Sequence, residues 1–238
     1  MKIYWTKINQ IVDETPEVKT YMLDRPEDFT WEEGAHTHLG MKGFNAGNQP
    51  NRGLVRHMTI MTLPHEDLIG ITTRIREQCS EYKQILRNLD VGSEVAIFKT
   101  HSNIPLQRKN KNIYMLSQGV GLATFRPLVL DYFKRPNNVK HIHSLNIDSS
   151  RDFLFTNIFK SAPDKNFTSQ FVDNRKDYYE EVKKLATDKD GLFYIVGSDE
   201  FLIQNIEVLR EQGIKPGQIK LDKHENELSQ FLSLDMSM

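Results

Sequence analysis

The sequence predicts two domains: an N-terminal antiparallel six-stranded β-barrel carrying one helix, and a C-terminal α/β domain with a parallel sheet. Three observations predict this. Up to residue 106, short β-rich runs follow one another at close spacing, with a single helical stretch among them. From residue 107 onward, strand-like apolar runs alternate with segments of helical period. Between the two patterns lies QRKNKN, a polar, charged stretch suited to a linker. The expected domains are therefore 1–106 and 107–238.

KIYWTKINQIV and EVKTYMLDR read as two strands joined by a turn at DETPE. A third short strand is expected around His36–Leu39. Residues 40–53, rich in Gly and Asn, are expected to form a mobile loop. LVRHMTIMT (54–62) reads as a fourth strand. Alternation there places Val55, His57 and Thr59 on one face and Arg56, Met58 and Ile60 on the other. Leu68–Ile75 is a fifth strand and Glu94–Lys99 a sixth. Between them, Ser80–Leu89 carries Tyr82, Ile85, Leu86 and Leu89 at helical spacing. In the second half, strands are expected at 112–117, 139–146, 167–172, 191–196 and 218–221. Helices are expected at 121–134, 151–160, 175–187 and 199–212.

The chain has 238 residues, 38% hydrophobic and 26% charged, with a net charge of −1. That balance gives no strong pull toward nucleic acid. No apolar run reaches membrane-spanning length, and the polar start MKIYWTKINQ does not read as a signal peptide. The single cysteine, Cys79, excludes an intrachain disulfide framework and a multi-cysteine metal site. A cytoplasmic protein is expected, with no nucleic-acid or membrane partner.

The most informative stretch is 112–136, NIYMLSQGVGLATFRPLVLDYFKRP. A buried-strand pattern, Ile113–Leu116, runs into Gly119-Val120-Gly121. Apolar residues then recur at helical spacing through Leu122, Phe125, Leu128, Val129, Tyr132 and Phe133. Strand, glycine turn and helix together make a site for a pyrophosphate, because backbone N–H groups at the helix start favour negative charge. Thr124 stands where the third glycine of the dinucleotide fingerprint falls, so a plain strand-to-helix turn stays open.

Three further motifs stand in a definite order around this stretch: RHMT (56–59), CSEYKQIL (79–86) and YIVGSDEF (194–201). With SQGVGLATFRP (117–127), this order resembles the ferredoxin–NADP reductase superfamily. In that family a flavin-binding barrel with R-x-Y-S/T precedes a nicotinamide-binding domain with G-x-G-x-x-P and a C-G-P-type strand end. SEYKQILRNLDVGSEV and GVGLATFRPLV look similar to the bacterial flavodoxin and ferredoxin reductases. The resemblance covers nearly the whole chain and is weakest over 40–53 and 222–238.

The resemblance implies an NAD(P)H oxidoreductase with FAD and NADP as cofactors, NAD remaining possible. Electrons would pass to a small carrier protein, ferredoxin or flavodoxin, or to a small-molecule acceptor. Within RHMT, which spans Arg56, His57, Met58 and Thr59, Arg56 would hold the FAD pyrophosphate with a permanent, forked cation. Thr59 would offer its hydroxyl to the flavin N5 and is the catalytic candidate. Met58 replaces the family's stacking aromatic. Cys79 and Ser80 would complete the flavin site, Ser80 as helix cap and Cys79 through packing. Gly119, Gly121 and Thr124 would cradle the nicotinamide dinucleotide. Gly197 and Ser198, after Val196 in place of cysteine, match the strand end beneath the nicotinamide. Ser149 and Arg151 would take a 2′-phosphate, with Asp148 as the competing acid. A non-catalytic binding or regulatory module of the same fold is the alternative. Two His pairs are set outside this site. His36 and His38 read as a polar strand face, and His141 and His143 as buried, satisfied histidines.

Overall fold

A computed structural model of the chain describes residues 2–161 and 165–232. The chain divides into two compact units, Met1–Pro105 and Leu106–Met238. Each unit is built around its own apolar core.

Unit 1 contains β1 (Ile3–Thr15), β2 (Val18–Asp24), β3 (Ala35–Met41), β4 (Val55–Thr59), β5 (Leu68–Arg74), α1 (Glu81–Arg87) and β6 (Glu94–Ser102). The strands pair antiparallel in the order β4-β3-β6-β1-β2-β5. The two edges meet just beyond β4, where the Met61 N–H donates to the Gly70 carbonyl at 2.8 Å. Thr62 reinforces the seam: its hydroxyl donates to Leu68 O at 2.8 Å and accepts from Gly70 N–H at 2.9 Å. The sheet is thereby a barrel, with Ile8, Leu23, Leu39, Ile69, Ile71 and Ile97 inside. Helix α1 plugs one end through buried Tyr82 and Leu86. Two phenols lock it there: the Tyr82 hydroxyl donates to Leu39 O at 3.0 Å, and the Tyr21 hydroxyl donates to Leu86 O at 3.1 Å. The segment expected as a loop from residue 40 instead begins as strand through Met41. Beyond it Phe44, 2% exposed, stacks on Phe98 at 5.1 Å and covers the outer face of the barrel.

Unit 2 contains β7 (Lys111–Gln118), α2 (Leu122–Lys134), β8 (Val139–Ile147), α3 (Thr156–Phe159), β9 (Phe167–Val172), α4 (Arg175–Leu185), β10 (Leu192–Val196), α5 (Asp199–Glu211), β11 (Ile219–Leu221) and α6 (Glu225–Leu232). All five strands are parallel, in the order β11-β10-β7-β8-β9. Residues Leu192–Val196 are buried throughout and Ile113–Leu116 likewise, as strands covered on both faces require. The stretch 107–110 is tied to this unit: Gln107 N–H donates to the Tyr194 hydroxyl at 2.8 Å, and Arg108 pairs with Asp131 at 2.8 Å. No helix among the described residues is long and apolar enough to cross a membrane.

Two expectations are corrected. The helix expected over 151–160 is one short turn, α3. Asp148 N–H bonds back to Val172 O, and the Asp148 carboxylate accepts from Ser150 N–H at 3.0 Å and the Ser150 hydroxyl at 2.8 Å. This side-chain turn competes with helix initiation. Arg151 and Phe155 then adopt left-handed φ of 65° and 51°, which a helix excludes. Helix α6 was not expected at all. Its sequence ENELSQFL buries only Phe231, so too little apolar periodicity marks it.

One buried polar pair on the α4–α5 seam supplies a stability prediction. The Tyr178 hydroxyl donates to Asn205 Oδ1 at 2.9 Å, and Asn205 Nδ2 donates to Phe201 O at 2.8 Å. Both side chains are fully buried. Tyr178→Phe leaves Asn205 Oδ1 without its donor, at a cost of about 1–3 kcal/mol. Urea unfolding should show that loss in the midpoint; a midpoint equal to wild type would show that the pair contributes nothing.

Candidate functional site

In unit 2, β8 and β9 lie on one side of β7, and β10 and β11 lie on the other. The chain order therefore reverses between β7 and β10. A crevice outside the carboxyl ends of strands at such a switch point is where open α/β sheets bind ligands. The glycine turn and the Val196–Ser198 strand end both sit there, since Ser117 and Val196 are register partners. Gly119–Gly121 form a turn of 3₁₀ helix leading straight into α2, with Gly119 at a left-handed φ of 52°. No side chain caps the start of α2. A β-carbon on Gly121 would lie 2.8 Å from Val196 O, so the turn is seated directly on the end of β10. Gly197 is confined as well, because a β-carbon there would lie 2.5 Å from the Phe201 ring. The Ser198 hydroxyl caps α5, accepting from Phe201 N–H at 3.3 Å, and lies 3.4 Å from Gln118 Oε1.

The sequence reading gave Asn146 no structural part in this turn. It is 1% exposed, and its Nδ2 donates to the Ser117 hydroxyl at 2.9 Å and to Gly119 O at 3.4 Å. It fixes the strand end that carries the turn. Thr124 is 3% exposed within α2, so its side chain is enclosed in the packing and not on an open face.

Beyond β8, Asp148 is 6% exposed and its Oδ1 is engaged by Ser150. Arg151 is exposed, and its Nε donates to Asp173 at 2.6 Å. Asp173 is held below the usual carboxylate range by a hydrogen bond from Asn174 and by the Arg151 guanidinium. Ser149 is exposed beside them. Further along the sheet, His141 and His143 share the Thr168 hydroxyl at 2.9 and 2.8 Å. Burial pushes His143 below its ordinary value, and its Nε2 is buried without a hydrogen-bond partner. The expectation of a fully satisfied histidine is therefore corrected at His143.

In unit 1, the alternation along β4 separates two faces. Met58 packs on the barrel core beside Ile60, and the Arg56 guanidinium lies 5.0 Å from the Tyr82 ring centroid. Arg56 thus stands against the second residue of α1. Its Nη1 is satisfied by the carbonyls of Arg52, Gly53 and Val55 at 3.2, 3.3 and 2.7 Å. The Ser80 hydroxyl makes no cap bond to α1. Cys79 and Ser80 also line an open cleft of about 440 Å³ with Arg74, Arg76, Gln78 and Lys83. The Lys83 ammonium donates to Arg74 O at 2.6 Å, and burial pushes it below its ordinary value. The sequence reading missed these three cations; a basic residue at every second position, Arg74 then Arg76, was the available signal.

The other face of β4 carries His57 and Thr59. Register sets His38 opposite His57 and His36 opposite Thr59. On the far side, β6 brings His101 opposite His36. The expected His36–His38 pair is thus part of a group of four imidazoles. The His36 ring centroid is 3.8 Å from that of His57 and 4.2 Å from that of His101. The ring of His38 lies 5.2 Å from His57 and stacks on Phe98, also at 5.2 Å. Burial, Lys99 and His101 push His38 below its ordinary value. Among the described residues no group of three His, Cys, Asp or Glu side chains is arranged to hold a metal ion.

No protein-family model matches the chain, and no curated protein sequence matches it. Solved structures do. A ferredoxin NADP⁺ reductase from Neisseria gonorrhoeae, with bound FAD and NADP, superposes with a TM-score of 0.77 at 16% identity, over 93% of this chain and 98% of that one. A ferredoxin-NADP⁺ reductase from Plasmodium falciparum, with 2′P-AMP, gives 0.74 at 16% identity, over 92% and 96%. The CS-b5R domains of human Ncb5or in the NAD⁺ form give 0.75 at 14% identity, over 93% and 70%. At these identities the likeness shows the fold.

Proposed function

We propose that this chain, which has the two-unit fold of the ferredoxin–NADP⁺ reductases, is a flavin-dependent NAD(P)H oxidoreductase that passes electrons to an external acceptor. The observation that carries the reading is the seating of the Gly119–Gly121 turn against the end of β10, at the switch point of the parallel sheet.

The residues fit both cofactors. For FAD, Arg56 offers the rest of its guanidinium fork against Tyr82 of α1, and Arg74, Arg76 and Lys83 make the cleft lined by Cys79 and Ser80 cationic. For the nicotinamide dinucleotide, Gly119, Gly121 and the uncapped start of α2 present backbone N–H groups to a pyrophosphate. Gly197 and Ser198 bring the end of β10 to the same place. The flavin, when bound, supplies the ability to take two electrons as a hydride and give them up singly. The protein binds the two cofactors and orients them. Thr59 is the hydroxyl assigned to the flavin N5.

The test is direct. Purified protein incubated with FAD should turn yellow, and NADPH should bleach it under anaerobic conditions. Protein that remains colourless with excess FAD would favour the second reading, a non-catalytic module of this fold. One observation supports that alternative. Met58 packs on the barrel core and leaves less open surface for a flavin ring than the family's aromatic would.

NADPH is the proposed nucleotide. Asp148 is buried and occupied by Ser150, whereas Arg151 stands exposed beside Ser149. Wild type should prefer NADPH, and Arg151→Ala should reduce the NADPH/NADH ratio of kcat/KM about tenfold, or ~1.4 kcal/mol. A preference that does not change in the variant removes Arg151 from the nucleotide site. The acceptor is proposed only as a class, an electron-carrier protein or a small molecule that accepts electrons.

A further inference from the structure

We propose that Phe44 is a positioning residue for flavin binding: stacked on the outer wall of the barrel, it holds the turn whose carbonyls aim Arg56. This rests on the oxidoreductase reading above, in which Arg56 meets the FAD pyrophosphate.

Residues 42–53 join β3 to β4 with little of their own to hold them. They carry Gly43, Gly47 and Gly53 with Asn45, Asn48 and Asn51, a composition that favours many conformations. Phe44 is their one large apolar side chain. It is 2% exposed, and its ring stacks on Phe98 at 5.1 Å with 9° between the planes. Trp5 closes it in from β1, at 6.0 Å between ring centroids. The wall beneath is built from the smallest residues, Gly40 and Ala96, which are register partners on β3 and β6. A β-carbon on Gly40 would lie 3.0 Å from the Phe44 ring, so the ring is seated directly against the strand.

From Phe44 the hold passes to Arg56 through the backbone. The Phe44 carbonyl accepts from Asn51 N–H at 2.7 Å. Asn51 in turn caps a single 3₁₀ turn, Arg52–Leu54. Its Oδ1 accepts from Gly53 N–H at 3.0 Å, and its carbonyl accepts from Leu54 N–H at 3.1 Å. Leu54 and Val55 pack on the cluster that Phe44 makes with Ala96 and Phe98. Two of the three carbonyls that receive Arg56 Nη1, those of Arg52 and Gly53, belong to this turn. Among the described residues Arg56 makes no other hydrogen bond, so Nη2 and Nε remain for a ligand. A long, exposed side chain loses rotamer freedom when it grips a ligand, and a turn that has already fixed it removes that loss from binding. Without Phe44 the loop opens, two of the three carbonyls leave, and the flavin itself must order Arg56.

The experiment is a double-mutant cycle on flavin-free protein titrated with FAD. Phe44→Ala should raise the Kd about three- to tenfold, the scale set by ordering one long side chain on binding. Phe44→Ala combined with Arg56→Ala should bind no more weakly than Arg56→Ala alone, because nothing is left to aim. Phe44→Leu, which refills much of the space, should recover most of the affinity. A readout without flavin accompanies these: trypsin should cut Phe44→Ala faster than wild type after Lys42 and Arg52. Gly40→Val leaves Phe44 in the chain but lifts its ring, so it should weaken FAD in the same way; it decides if Phe44→Ala does not fold. An unchanged trypsin pattern, or a loss of affinity equally large with and without Arg56, would overturn the assignment. If Arg56→Ala weakens FAD while Phe44→Ala and Gly40→Val do not, this assignment alone falls. If Arg56→Ala binds FAD like wild type, the flavin role of Arg56 falls and this assignment with it. Wild type that takes up no FAD overturns the oxidoreductase reading as well.

Discussion

Arg56→Ala should raise the dissociation constant for FAD about ten- to a hundredfold, equivalent to roughly 1.5–3 kcal/mol for a lost charge-assisted contact. The side chain is held where it can act on a ligand at the start of α1. Its guanidinium lies 5.0 Å from the ring of Tyr82, the second residue of that helix, and three backbone carbonyls fix one end of the fork. Removing it costs the barrel little, because Arg56 is exposed and its bonds are to carbonyls that water can replace. Equilibrium titration of the apoprotein with FAD measures the effect. Affinity equal to wild type, in a variant with an unchanged melting temperature, would move the flavin site away from β4.

Gly121→Val should cost more than tenfold in KM for NADPH while leaving FAD content unchanged. A β-carbon at this position meets Val196 O at 2.8 Å and Val196 Cγ1 at 3.2 Å. The first contact is with backbone at the carboxyl end of β10, so the side chain cannot be accommodated by a rotamer change. The turn must lift off the end of β10, at an overpacking cost of about 1–3 kcal/mol. Lifting it moves the N–H groups at the start of α2. FAD content is the internal control, because the residues assigned to it lie in unit 1. A variant that loses FAD but keeps the wild-type dissociation constant for NADPH would reverse the assignment of cofactors to units.

Much of the architecture was legible because each element carries its own local signal. The buried run Ile113–Leu116, the glycine turn and the helical period of α2 sit side by side in sequence and fold side by side. Alternation along RHMT correctly separated Arg56 and Met58 from His57 and Thr59. What the sequence hid depends on register or on competing local bonds. The four imidazoles come from positions 36, 38, 57 and 101, and only the pairings of β3 with β4 and β6 bring them together. The helix expected after residue 150 lost to the turn that Asp148 makes with Ser150, an outcome periodicity does not register. Asn146 looked like one more residue of a strand end; its part in holding Ser117 and Gly119 exists only once β8 lies beside β7.

The contact between Gly121 and β10 constrains the two positions unequally over evolution. The nearest atom to a β-carbon at 121 is the Val196 carbonyl oxygen, which every residue at 196 would present in the same place. Shortening the side chain at 196 would remove the contact with Cγ1 at 3.2 Å but leave the closer one, with the backbone oxygen at 2.8 Å, in place. Position 196 is free to drift among side chains that fit a buried strand. Position 121 has no comparable freedom and no compensating partner. Related chains that keep this turn should vary at 196 without any matching change at 121, and a saturation library of both sites should recover glycine alone at 121 whatever is placed at 196.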